Sequence, residues 1–172
     1  MIGLGLIALG CYAVHAAFHA VRGHAFDALW ACHIAVLLIS AGAFLGQARW
    51  AAIGVLWLSF GNALWLLDLL GGGEFFPTSL LTHVVGLVIG VVVVRRLGWP
   101  FPSWWAAALA FLLLLGVTRA LTPRAANVNL AFGVAPGWES LFPSYPAYLA
   151  LLVAFGALTF FLVELGLRRA LR

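Results

Sequence analysis

The 172-residue sequence predicts an all-α fold, a polytopic membrane helix bundle of about six transmembrane helices with both termini cytoplasmic. Three observations carry that expectation. The chain is 65% hydrophobic and 8% charged with a mean hydropathy of +1.12, whereas a soluble domain is about 45–50% apolar and about 25% charged. Its apolar residues fall in continuous runs long enough to span a bilayer, without the alternation of an outer-membrane barrel. Its arginines are unevenly shared between alternate connections.

The predicted helices cover about 2–21, 28–46, 50–70, 78–94, 103–121 and 146–167, because each run approaches the roughly 20 residues needed to cross the hydrocarbon core. They form one integral membrane domain, 1–172, with no internal repeat. "RGHAFD", "QAR", "GGGEFFP" and "RRLGWPFP" join the first five. The last connection, "TPRAANVNLAFGVAPGWESLFPSYP" (122–146), has no sustained helical period and carries four prolines, and so long a structureless segment is usually functional. Arg49, Arg95, Arg96, Arg168, Arg169 and Arg172 fall on one side of this topology, and Arg22, Arg119 and Arg124 on the other. That split places both termini inside a cell (inner) membrane, multi-pass.

All nine basic residues are arginine, and the absence of lysine excludes a Schiff-base pigment or a lysine aldolase. The arginines never gather in more than twos or threes, so the net charge of +4 points to membrane orientation and no nucleic acid. Cys11 and Cys32 both lie in apolar runs and make no cysteine-only metal framework. The N-terminus lacks the basic region of a signal peptide, and no lipidation motif is visible.

Every histidine, and every acid except Glu164, maps near the outer leaflet. Ionisable groups at membrane depth are costly and face a cavity or the bundle interior, so this asymmetry predicts a polar pocket on the outer side. Cys11, His15, His19 and Arg22 share one face of helix 1, which reads either as a metal or haem ligand pair or as a polar stripe bonded to neighbouring helices. Ser79, Thr82, His83, Gly86 and Gly90 share one side of helix 4, a close helix–helix contact. In "WACHI" the adjacent Cys32 and His33 point about 100° apart, so a thiol–imidazole pair needs a histidine from another helix, such as His83 or His15. Cys32 reads equally as a small apolar packing residue. Asn127 and Asn129 read either as donors to a developing oxyanion or as caps for the loop's own backbone.

The order of "WACHI", "LTHVVGL", "TRALTPRAANVNLAF" and "SLFPSYPAYLALL" resembles the YwaF-type integral membrane proteins and their eukaryotic relative, transmembrane protein 164. The resemblance runs from about residue 28 to the C-terminus and is strongest over the last fifty residues. Ala31 and Val128 depart from the family's usual proline and aromatic. It implies a lipid acyltransferase whose nucleophilic cysteine corresponds to Cys32, with His33 as its neighbour. His83 corresponds to the base of more distant lipid hydrolases of similar topology.

The favoured expectation is therefore lipid acyl transfer or ester hydrolysis by Cys32 with His83 as base, through a thioester. His33, His15, His19, Asp68, Asn127 and Asn129 line the cavity. The partner is a membrane phospholipid or other acyl lipid, and the reaction needs no metal and no cofactor. Thr82 is a fallback nucleophile. Two other classes are a haem- or metal-binding redox protein using His15, His19, His33 or His83, and a lipid-binding or transport module without chemistry.

Overall fold

A computed structural model describes residues 1–170; Arg172, counted in the arginine split, lies outside the described residues. In chain order it comprises α1 (Ile2–Val21), a 3-10 turn (Ala25–Leu29), α2 (Ala31–Leu45), α3 (Ala48–Leu70) and a π-helical turn (Leu81–Gly86) that runs into α4 (Leu87–Leu97). Then come α5 (Trp104–Leu121), short 3-10 turns at Arg124–Ala126, Val128–Leu130 and Glu139–Leu141, and α6 (Tyr145–Ala170). Among the described residues every regular element is helical.

Four helices, α1, α3, α5 and α6, are long and apolar enough to cross a membrane. α1 occupies the span its apolar run predicts. α2 begins later than expected because Ala25–Leu29 winds as a tighter 3-10 turn and Trp30 is extended (φ −57°, ψ 141°). The fourth run is helical but not uniformly α: Leu81–Gly86 carries the wider π winding, which often marks a functional site.

α2 and α3 form the central hairpin, with α1 beside α2, α4 packed on α3 and α2, and the α5–α6 pair against α3. Ala35, Val36, Ile39, Val55, Leu56, Val93 and Val94 fill the interior. Leu6, Ile7, Leu113, Leu151, Phe155 and Leu162 face outward, an apolar surface suited to lipid. Lipid tails provide no hydrophobic drive between helices, so close packing must hold them together. Gly54 shows how close: a Cβ there would sit 2.5 Å from the Ala35 carbonyl oxygen. At Gly90 it would sit 2.7 Å from both Ile39 and Val55.

The bundle has two polar ends. At one, Glu164 of α6 is fully buried and accepts hydrogen bonds from Trp99 Nε1 (2.6 Å), Ser103 N (2.7 Å) and Trp104 N (3.0 Å). It thereby caps the start of α5, whose first amides have no partner within their own helix. The other end gathers the end of α1, the start of α2, the end of α3, the π turn and the long loop, and holds the histidines.

Candidate functional site

The histidine end is assembled by a short connection. α1 and α2 are antiparallel neighbours, so the last turns of α1 lie beside the first turn of α2. His15 and His19, one turn apart on α1, are met there by His33 of α2. The ring centroids of His15 and His33 are 4.5 Å apart, those of His15 and His19 4.7 Å, and those of His19 and His33 5.6 Å. One ligand nitrogen from each ring lies within 4.8 Å of the others. His15 and His33 are 2% and 4% exposed, and His19 is half-buried.

Each ring is held differently. His19 Nδ1 pairs with Asp27 Oδ2 at 3.0 Å, and the 3-10 turn that carries Asp27 also brings Trp30 Nε1 to its other oxygen. His15 Nδ1 pairs with Thr78 Oγ1 at 2.9 Å, just before the π turn. Outer partners on Nδ1 orient an imidazole to present Nε2, the arrangement found around metal-ligating histidines. His33 Nδ1 is buried with no partner. Burying an unsatisfied polar atom costs about 1–3 kcal/mol, so a water, proton donor or metal ion at this atom would be stabilising.

His83 sits beside this group on the π turn. Its Nδ1 donates to Asn62 Oδ1 (2.6 Å), Asn62 Nδ2 donates to the His83 carbonyl (2.8 Å), and its ring stacks on Trp65 at 4.5 Å. The neighbouring Thr82 is fully buried, and its Oγ1 has no partner.

Cys32 turns away from His33, as the angular spacing of a helix requires, and faces α3, where a Cβ on Gly61 would lie 3.7 Å from its own Cβ. Its thiol is free, as is that of Cys11. Cys32 and His83 thus pack near consecutive residues of α3, Gly61 and Asn62, but among the described residues no hydrogen bond joins the thiol to an imidazole. Asp68, expected at the cavity, is exposed near the end of α3 and forms no ion pair with a histidine.

The two asparagines take the backbone-capping role rather than that of free donors. Asn127, at φ 40°, accepts from Phe132 N and Gly133 N (both 3.0 Å) and donates to the Gly133 carbonyl, closing its own turn. Asn129, at φ 57°, accepts from Ala31 N (2.7 Å) and donates to the Leu29 carbonyl and Thr118 Oγ1. It ties the long loop to the first turn of α2 and to α5, setting the position of His33 without touching it. Asp27, Thr78, Asn62 and Trp65 complete the site and were not singled out by sequence spacing. An asparagine in mid-helix within an apolar run was the readable signal for Asn62.

The group can hold a divalent transition metal. Tetrahedral coordination at about 2.0–2.1 Å puts ligand nitrogens roughly 3.4 Å apart, so nitrogens now within 4.8 Å would close by up to about 1.4 Å on binding. Three imidazoles leave a fourth position open to water or a substrate oxygen. No protein-family model, curated protein or solved structure matches the chain.

Proposed function

We propose that the protein is a multi-pass inner-membrane metalloprotein whose His15–His19–His33 centre works near the outer leaflet. The convergence of one nitrogen from each of His15, His19 and His33 within 4.8 Å carries this reading, and the buried, unpartnered His33 Nδ1 supports it. α2 and the π turn with α4 complete six spans, and both termini are cytoplasmic. Imidazole ligands suit zinc, copper, iron or nickel, and a metal with one open position activates a bound water or polarises a carbonyl. Hydrolysis of an ester borne by a membrane lipid is the reaction class we assign to it, with His83 of the neighbouring π turn as the group that would move a proton. Among the readings of the sequence, this favours the metal-binding one over a metal-free thiol. Metal analysis of purified protein tests it: about one transition-metal ion per chain is expected, retained in Cys32→Ala and lost in His15→Ala and His33→Ala. Protein that binds no ion after loading with zinc, copper, nickel or ferrous iron overturns it.

The second reading keeps Cys32 as nucleophile and His83 as base for lipid acyl transfer. It is favoured by the doubly bonded Asn62, which orients the His83 ring as a third group orients the base in other thiol and hydroxyl nucleophile systems. Lipid turnover by mass spectrometry, with a phospholipid and a lysophospholipid acceptor, separates the two. Activity abolished by chelation and in His15→Ala supports the metal centre. Activity abolished in Cys32→Ala and indifferent to chelation supports the thiol.

A further inference from the structure

Away from the histidines, the long loop and the α5–α6 pair line two adjoining open grooves that share Arg119 and Tyr145. The larger, about 650 Å³, is lined by Arg119, Thr122, Pro123, Arg124, Phe132 and Tyr145. The smaller, about 250 Å³, continues down the helices between Leu112, Leu115, Gly116 and Leu149. One is basic and lies where α5 ends and α6 begins; the other is apolar and runs one to two turns toward the bundle centre.

We infer that this paired cavity binds an anionic phospholipid, its phosphate against Arg119 and Arg124 and the upper part of one acyl chain in the groove between α5 and α6. Arg119 is already positioned: Nε donates to the Ala131 carbonyl at 2.7 Å and Nη2 to Tyr145 Oη at 3.0 Å. Tyr145 Oη in turn bonds the Leu130 and Ala131 carbonyls. Those contacts occupy two of the five guanidinium N–H donors and leave the rest for a ligand. Arg124 is exposed on its 3-10 turn, and neither arginine has a carboxylate partner among the described residues. Two unneutralised guanidiniums select an anion, and phosphate suits their fork geometry. The apolar continuation selects an amphiphile over a free ion. Gly116 borders open space, since a Cβ there would meet nothing within 4 Å. Its outward exposure gives lateral access from the lipid-facing side.

Native mass spectrometry of the full chain in detergent, titrated with phosphatidylglycerol and separately with phosphatidylcholine, tests the site. Retention of phosphatidylglycerol in preference to phosphatidylcholine is expected. Arg124→Gln should weaken that retention about tenfold, the scale of one lost charge-assisted contact. Gly116→Leu, which fills the groove, should weaken retention of both lipids while leaving the thermal transition in place. Equal binding of the two lipids, or wild-type binding by both variants, overturns the inference. So does displacement by millimolar inorganic phosphate alone, which would make the pocket a site for free anions. The metal content of His15–His19–His33 does not enter any of these outcomes.

Discussion

The two ends of the bundle bury polar groups in opposite ways. At the glutamate end a carboxyl group with no solvent exposure receives three N–H bonds, from an indole and two backbone amides that needed acceptors. Nothing is left over, and the arrangement pins α6 to the start of α5. At the histidine end three imidazoles crowd together, yet His33 Nδ1 and Thr82 Oγ1 lack partners. Buried polar groups are normally satisfied, so completeness fits a structural role for the first end, and the two unpartnered atoms of the second are what the proposed ligand would satisfy. A buried ionisable residue in a membrane bundle is thus informative only once its hydrogen bonds are counted.

Substitutions can break or sharpen that contrast. The largest effect is expected at Glu164→Ala, which strands three donors and should cost about 4 kcal/mol of stability in a denaturation assay in detergent micelles. Its metal content per folded chain should stay unchanged; loss of both together would mean the two ends are not separable. His33→Leu should abolish metal retention while stabilising the metal-free protein by about 1 kcal/mol, because it removes a ligand and a buried unsatisfied nitrogen. A metal-free protein made less stable by this change would place His33 with Glu164 as a structural residue.

Asn129→Ala should cost about 2 kcal/mol through the freed Ala31 amide and Leu29 carbonyl, and should weaken metal binding by displacing the start of α2. Competition titration with a chromophoric chelator alongside unfolding would register both. The smallest effect is expected at Asp27→Asn, which keeps a hydrogen-bond acceptor beside His19 but weakens its orientation; a loss of about tenfold in metal affinity is the scale for such outer partners. An unchanged affinity would mean that His19 is not a ligand.

The helical architecture was largely readable because long apolar runs can only wind as helices when their backbone must be satisfied within the segment. α1 shows this most directly, since Ile2–Val21 follows its apolar run. Boundaries drifted where turns took over: the 3-10 winding of Ala25–Leu29 shortened α2, and a π turn took Leu81–Gly86 out of the α-helix expected there. For the site, the four-residue spacing of His15 and His19 and the angular separation of Cys32 from His33 were both legible, since they depend only on helix geometry. The role of Asn129 was not, because its partners are about a hundred residues away in sequence.

Composition and periodicity by themselves determined that this chain is helical, apolar along most of its helices, and has its histidines gathered at one end. They could not decide which of those polar residues meet. That His33 rather than Cys32 joins His15 and His19, that Asn62 and Trp65 claim His83, and that Glu164 is completely satisfied were decided by the rotation and depth of each helix against its neighbours. The reason is physical: apolar faces tolerate many rotations in lipid, and only close packing at contacts such as Gly54 against Ala35, together with hydrogen bonds between distant segments, selects one.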